Sequence, residues 1–421
     1  MKIHMSVAAL NEALDVVSIV PPQARTPDGA AGFLFVLRGD RCSIYSRDQT
    51  HQARVNVAFD ADSSDAEGSF IFPADKVAAL KYLDGWIQIE TGKTDDRDWV
   101  KYETQGKAEQ ELSTIDPRMM QSIDAALERT TEVGSYPSAL LREAISTARP
   151  FIAKAAGQAE DHCKVLQLFD ASRDTWKKGD GHFFAADGTR ACFFYCEALK
   201  GKGLTIHGQH LPYLTSFLAR SPGDVTVRQG DGVTYVVNAK GQVLGWAHAV
   251  KHHEKFSYYS LKNDEFILKM PKDLVLKALR YVRAGLDSKK DKIRVNYSHE
   301  EGALRFLASE STGKTVSMPV GVKPVTEENG GGSKSAGYGF AINVSLNQMI
   351  ELFDSMKTNE ADLRVAIVPP ADGRPKESAL IRTIDTFWID GTGKQLIAPE
   401  DAGPEGKAYQ CQVTRFMPSR E

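Results

Sequence analysis

Long hydrophobic runs are missing from this sequence. No stretch approaches the roughly 20 apolar residues that a membrane-spanning helix needs. The opening segment MKIHMSVAALNEALDVV is interrupted by His4, Asn11, Glu12 and Asp15, so it does not read as a secretory signal. Cysteine is scarce: five in 421 residues, at 42, 163, 192, 196 and 411. An odd number without an export signal is expected as reduced thiols in a cytoplasm, not as a disulfide framework. No CxxC occurs. Cys192 and Cys196 flank Phe-Phe-Tyr in a strand-like run and read as small buried hydrophobes rather than metal ligands. An excess of charge is missing too. Lys and Arg number 52 and Asp and Glu 55, a net of −3, which as an average speaks against a surface coated in cations for nucleic acid. No G-x-S-x-G, HExxH or paired-carboxylate signature stands out, so no active site, metal or cofactor is expected.

What is present is a long internal repeat. Three times, an amphipathic helix is followed by alternating strand-like runs, a second helix and more strands. The first helices open near Val7, Tyr136 and Met270, the second near Pro73, His210 and Asn343. The spacings lie near one ordinary domain length, which predicts three copies of one α+β unit and not a short-repeat solenoid. The helices carry little more than one apolar face each and must lie against the sheets. The expected domains are 1–125, 126–262 and 263–421.

Charge is distributed unevenly over these helices. At about 100° per residue, Leu274, Val275, Ala278, Leu279, Val282 and Leu286 share one arc, and Lys272, Lys277, Arg280 and Arg283 the opposite one. Leu276 is the large apolar intruder on the basic arc. From Lys269 to Arg294 there are nine basic and three acidic residues. In the second copy, Arg142 and Arg149 are seven apart and share a face, and Pro150 bends or ends that helix. The first copy offers only Glu12 and Asp15 on its first helix, and the last helix exposes Glu351 and Asp354. A charged helix face is often mere solvation. Two of three equivalent helices presenting cations favour a phosphate-facing stripe.

Three other motifs invite chemistry and do not sustain it. Ala308-Ser-Glu-Ser-Thr-Gly-Lys314-Thr315 lacks the first glycine of a P-loop and is followed by a strand-like run, so a hairpin turn is the better reading. Gly391-Thr-Gly-Lys394 fails alike. His252-His253-Glu254 has no third ligand at a suitable spacing.

Several segments, taken in order, resemble the bacterial DNA polymerase III beta sliding clamp family. LNEALDVVSIVPPQARTP is similar to that family's first helix and following loop, and Glu111-Leu-Ser-Thr-Ile115 to the closing strand of its first domain. Ala186-Asp-Gly-Thr-Arg190 resembles its Thr-Asp-Gly-His-Arg turn, Phe340-Ala-Ile-Asn-Val-Ser345 the opening of its last helix, and Met417-Pro-Ser-Arg-Glu421 its terminal Met-Pro-Met-Arg-Leu. The resemblance covers nearly the whole chain and implies a divergent member, of bacterial or phage origin. It implies a head-to-tail homodimeric ring of six domains, with helices lining the hole and sheets outside. Such a protein is not an enzyme: it encircles duplex DNA without sequence preference and tethers a polymerase.

The resemblance points to Arg25, Lys76, Lys81, Arg142, Arg149, Lys272, Lys277, Arg280 and Arg283 as DNA-facing. Gln209 and His210 stand where the family has a basic pair. It points to Gly188, Thr189, Arg190, Met417, Pro418 and Arg420, with Leu166, Phe256, Ser257 and Tyr259, as a cleft for short peptides of a DNA polymerase and a clamp loader. Gly285 and Leu286 stand near the family's dimer contact. Thr189, Ala191, Ser257 and Glu421 depart from its pattern, which implies an altered peptide preference. Two rival expectations remain: a clamp-like scaffold that does not encircle DNA, and a nucleotide-binding enzyme built on the Lys314 loop. The expected location is the cytoplasm, at the nucleoid.

Overall fold

A computed structural model describes residues 1–22, 32–65, 67–94, 98–106, 109–114, 117, 122–153, 161–168, 183–199, 204–230, 232–247, 266–286, 291–309, 315–324, 339–368, 378–403 and 406–418. The order strand, helix, four strands, helix, three strands occurs three times. In the first copy it runs β1 (Lys2–Ser6), α1 (Val7–Val17), β2 (Gly32–Arg38), β3 (Arg41–Arg47), β4 (His51–Val57), β5 (Glu67–Pro73), α2 (Val77–Leu80), β6 (Trp86–Lys93), β7 (Asp98–Thr104) and β8 (Glu109–Thr114). A short helix, α3 (Asp124–Glu128), leads into the second copy. That copy comprises β9 (Thr131–Pro137), α4 (Ser138–Ala148), β10 (Val165–Leu168), β11 (Phe183–Ala186), β12 (Ala191–Tyr195), β13 (Leu204–His207), α5 (Leu211–Ala219), β14 (Asp224–Gly230), β15 (Val233–Asn238) and β16 (Val243–Ala247).

The third copy is β17 (Phe266–Pro271), α6 (Lys272–Ala284), β18 (Lys292–Ser298), β19 (Ala303–Ser309), β20 (Thr315–Gly321), a bridge strand β21 (Lys323–Pro324), β22 (Phe340–Ser345), α7 (Leu346–Asp354), β23 (Glu360–Val368), β24 (Ser378–Asp390), a short β25 (Gln395–Leu396) and β26 (Ala408–Pro418). Pro150 falls inside a 3₁₀ turn at Arg149–Phe151 that ends α4, as its missing N–H requires.

Each copy makes two four-stranded antiparallel layers, one from its four middle strands and one from its first strand and last three. The layers do not stop at the copy boundary. The middle layer of the first copy joins the second copy through β4 and β16, giving the order β5-β2-β3-β4-β16-β15-β14-β9. The middle layer of the second copy joins the third through β12 and β26, giving β13-β10-β11-β12-β26-β24-β23-β17-β21. The compact units are therefore not the copies. One is Met1–Arg142 with Gln209–Ala249, the other Glu143–Gly208 with Val250–Glu421. Each contains one seam.

Local chemistry explains the helix starts. Ser6 caps α1 by accepting a hydrogen bond from the Ala9 N–H, and Ser345 caps α7 by accepting one from Gln348. Asp291 reinforces the second cap, accepting from the Asn347 N–H at 2.7 Å. In α1, Val7, Leu10, Ala13, Leu14, Val16 and Val17 are buried, with α1 lying over β3 and β4. Each fully buried Val or Leu contributes about 1.5–3 kcal/mol.

In α6 the buried set is Val275, Leu276, Ala278, Leu279 and Val282, while Leu274 is 47% exposed. The wheel assigned these two leucines the other way round. The helix touches β17, β19, β20 and α7 together, so its covered arc is wide and shifted toward Leu276.

Candidate nucleic-acid interface and partner cleft

The basic candidates fall on three separate helical regions. In the first copy, Lys76 closes a 3₁₀ turn before α2 and pairs with Asp75 at 2.8 Å. Lys81, just past α2, pairs with Asp15 of α1 at 3.0 Å. Glu12 of α1 is held by Lys240 at 3.0 Å. This helix pair is thereby close to electrically neutral, with Tyr82 exposed beside it. On α4, Arg142 is half-buried and Arg149 exposed.

The third copy differs. Lys277 and Arg280 are exposed and Arg283 half-exposed on α6, beside the exposed Tyr281. Arg280 reaches Asp354 of α7 at 2.8 Å, and half-buried Lys272 donates to the Met356 carbonyl. Cations outnumber anions along this face, in keeping with the sequence. Arg25 lies outside the described residues.

Gln209 is exposed, but His210 is buried to 2% exposure, which removes it from any phosphate-facing surface. Its Nδ1 lies 2.9 Å from Nε2 of His51 on β4, and His51 Nδ1 lies 3.1 Å from Asp48 Oδ2. The His51 ring stacks on Tyr213 at 3.8 Å, and His210 on Trp246. Burial raises the Asp48 pKa, but hydrogen bonds from the Thr50 and His51 N–H groups and the adjacent His51 imidazole outweigh it and hold the carboxyl below its usual range. This Asp–His–His chain is enclosed and sits where Trp246 pairs with His51, at the β4–β16 seam. Its position ties the second copy to the first.

The same seam carries a second polar knot on its other side. Arg54 of β4 pairs with Asp124 at 2.8 Å and donates to the Gly241 carbonyl at 2.9 Å. Tyr45 donates to Asp124 at 2.6 Å. Burial, and then Asp124, push the Tyr45 hydroxyl up. A concavity of about 440 Å³ opens beside α3, with Arg38, Arg41 and Arg54 balanced by Asp40, Asp124 and Glu128.

At the β12–β26 seam stands the Asp187–Arg190 turn. Asp187 Oδ1 accepts from the N–H groups of Thr189 and Arg190, and Gly188 takes φ +88°, a left-handed conformation suited to glycine. Arg190 is fully engaged. It donates to Asp187 Oδ2 through Nε and Nη2, to the Pro150 carbonyl at 3.1 Å and to Glu351 of α7, and lies over the Phe151 ring. Gln348 donates to Thr189 Oγ1 at 3.0 Å. The turn expected to line a cleft is thus pinned to the last helix.

Leu166 and Met417 are wholly buried. Pairing aligns Leu166, Ala185, Cys192 and Arg415 in one row, so Leu166, Arg415 and Met417 share a face. Arg415 turns to the Ser355 carbonyl after α7, which places that face toward the helix. Neither Leu166 nor Met417 offers an accessible wall. Phe184, Ala186, Ala191, Phe193, Leu380 and Phe416 form an apolar cluster on the opposite face, of which the motifs touched only Ala186 and Ala191. The backbone of Pro418 pairs with Leu380. Phe256, Ser257, Tyr259 and Arg420 lie outside the described residues.

A buried ion pair completes this seam. Arg415 and Asp385, neither exposed at all, approach to 3.6 Å. Asp385 also accepts from the N–H groups of Lys357 and Thr358, and so ties the segment after α7 to the sheet. Burial drives the Arg415 pKa down against the pull of Cys192 and Asp385.

The decoys resolve in part. Thr315 opens β20, paired with Ser309, so no helix follows the Lys314 loop, and Lys314 itself lies outside the described residues. Asp390 accepts from the Thr392 and Lys394 N–H groups, which makes Gly391–Lys394 a turn. His252, His253 and Glu254 lie outside the described residues. Among the described residues no group of three or more His, Cys, Asp or Glu side chains is arranged to hold a metal, and no helix is long and apolar enough to cross a membrane.

No family model matches the sequence, and no curated protein matches it. Solved structures do match. The DNA polymerase III beta subunit of Pseudomonas aeruginosa superposes with a TM-score of 0.71 at 15% identity, covering 100% of both chains. The Caulobacter crescentus sliding clamp gives 0.70 at 15% identity, again over 100% of both. The Thermotoga maritima beta subunit gives 0.67 at 14%, over 100% of this chain and 99% of that one. The chain therefore has the fold of the DNA polymerase III beta sliding clamp, carried by a sequence far diverged from these structures.

Proposed function

We propose that the protein is a DNA sliding clamp: a head-to-tail homodimer that encircles duplex DNA and tethers a DNA polymerase, without catalysing a reaction. The observation that carries this reading is the pairing rule of the sheets. Twice within the chain, the last of a copy's three consecutive middle strands pairs with the last strand of the following copy: β4 with β16, then β12 with β26. The corresponding strands left over are β20 of the third copy and β8 of the first. Each ends its sheet among the described residues.

A second protomer satisfies the rule by pairing its β8 with this β20, and two such joints close a ring. The internal seams use four and five residue pairs. Thr315–Met318 offers four positions before Pro319, which has no N–H for a ladder. Gly285 stands directly behind this edge. A Cβ there would lie 2.7 Å from Val316, so a larger residue would push β20 outward. Leu286 follows it at the end of α6.

In this reading the domains are 1–125, 126–262 and 263–421, and copy three supplies phosphate contacts through exposed Lys277, with Arg280 and Arg283 beside it. Arg142, Arg149 and Gln209 of copy two add weaker ones, and the paired Lys76 and Lys81 least. Partner peptides of a polymerase and a clamp loader dock near the turn Gly188–Arg190 and the end of β26. The protein works in the cytoplasm.

The test is topological. Protein loaded on a nicked circular plasmid by a bacterial clamp loader should co-elute with the DNA and be released when the circle is linearised. Retention that survives linearisation, or a protein that never becomes retained, would favour the scaffold reading. Lys277→Glu with Arg283→Glu should weaken DNA binding and reduce the slope of log affinity against log salt by about 2.

A further inference from the structure

Cys196 and Cys411 meet at the seam between the second and third copies. The β12–β26 ladder ends at Tyr195 and Gln412, and the next residue on each chain beyond that pair is Cys196 and Cys411. Continued by one pair, that register would set their Cα atoms about 4.5–5.5 Å apart, inside the span a disulfide needs. Both side chains are buried, at 2% and 0% exposure, and their thiols are hydrogen-bonded to each other.

The two sulfurs are not equivalent. The hydrogen bond from Cys411 lowers the Cys196 pKa, with burial opposing it and the Ala198 N–H assisting; Glu197 faces the same thiol and disfavours the anion. The Cys411 thiol moves up through its hydrogen bond with Cys196, its burial and the charges of Cys196 and Glu143, and it also donates to the Tyr409 carbonyl at 3.9 Å. Cys42 and Cys192, by contrast, are buried and pushed up to about 12. From the sequence the five were expected as reduced thiols, with Cys192 and Cys196 as small buried hydrophobes.

We propose that Cys196 and Cys411 are a redox modification site: peroxide converts them into a disulfide that covalently closes the seam between copies two and three. The Cys196 thiolate attacks one peroxide oxygen, the O–O bond breaks, and the departing hydroxide takes a proton to become water. This leaves Cys196 as a sulfenic acid. The sulfur of Cys411 then attacks Cys196 sulfur, the S–O bond breaks, and the Cys411 proton leaves with the hydroxyl as a second water. Two thiols lose two electrons in total and one peroxide becomes two waters. Cys196 is the attacking residue and Cys411 the resolving one.

The experiment treats the full-length protein with hydrogen peroxide under native conditions, denatures it, alkylates the remaining thiols and maps the peptides by mass spectrometry. The expected result is a Cys196–Cys411 linked peptide, three alkylated cysteines instead of five, and a mass lower by about 2 Da before alkylation, all reversed by dithiothreitol. Cys411→Ser should halt Cys196 at the sulfenic acid, which dimedone traps. In Cys196→Ser, Cys411 should remain alkylatable. The proposal is overturned if peroxide leaves all five thiols alkylatable, or links another pair. It is also overturned if Cys196 proceeds to sulfinic acid in the unsubstituted protein. Should either variant fail to fold, the peptide map of the unsubstituted protein decides alone.

Discussion

The two internal seams use the same main-chain device and different side-chain chemistry. At β4–β16 the strands are flanked by one knot that keeps some contact with water, Arg54–Asp124, and by the enclosed Asp48–His51–His210 chain. At β12–β26 the inner knots are sealed, with Arg415 and Asp385 wholly buried and Cys196 and Cys411 nearly so, while Arg190 holds Asp187, Pro150 and Glu351 nearer the surface. A ladder of four or five residue pairs fixes only direction and spacing. The side chains decide how firmly each joint holds and which solvent conditions it answers to.

Substitutions can separate the two strategies. Asp385→Ala strands a buried guanidinium and should cost about 3–5 kcal/mol. Chemical denaturation followed by probes in each unit would place the loss in the unit Glu143–Gly208 with Val250–Glu421. A loss below about 1 kcal/mol would mean that the sealed seam does not depend on its ion pair. Asp124→Ala at the other seam removes hydrogen bonds to Arg54 and Tyr45 in a half-exposed setting, and about 1.5–3 kcal/mol is expected.

Acid should act on the β4–β16 seam through Asp48. The Asp48 carboxyl is depressed in the folded protein, so it binds protons more readily unfolded, where its pKa is about 3.9. Its contribution is fully present above that value and lost as pH falls through the lower folded pKa. Asp48→Asn should flatten this acid limb, and an unchanged limb would remove Asp48 from the account. The smallest effect belongs to neither seam. A double-mutant cycle on the exposed pair Arg280–Asp354 should give a coupling below about 1 kcal/mol, shrinking further in salt.

The repeat was legible in the sequence because helix periodicity is local and the same order of elements recurs at one domain length. The seams were not legible. Nothing within β4 or β12 names its partner, because Ala53 pairs with Leu244 and Phe194 with Val413, far along the chain. His210 was misplaced for the same reason, since the residue that buries it, His51, belongs to another copy. Leu274 and Leu276 exchanged roles because a wheel describes one helix, whereas α6 is covered from several sides. Around Arg190 the motif located the turn correctly. It could not convey that Glu351 and Gln348 already occupy the groups a partner was expected to meet.

The sharing of copy two between both compact units has a consequence for how the chain is made. During synthesis β4 emerges long before β16, and β12 long before β26. Each strand therefore waits with an unpaired edge while most of the intervening chain is still being added. For β12, whose sequence is Ala-Cys-Phe-Phe-Tyr, that edge is hydrophobic and rich in β-forming residues. Such long-range pairing slows folding and lengthens the time in which nascent chains can pair with one another. Yield of the native protein should then be limited by the interval between making β12 and completing β26, and slower synthesis at lower temperature would not shorten it.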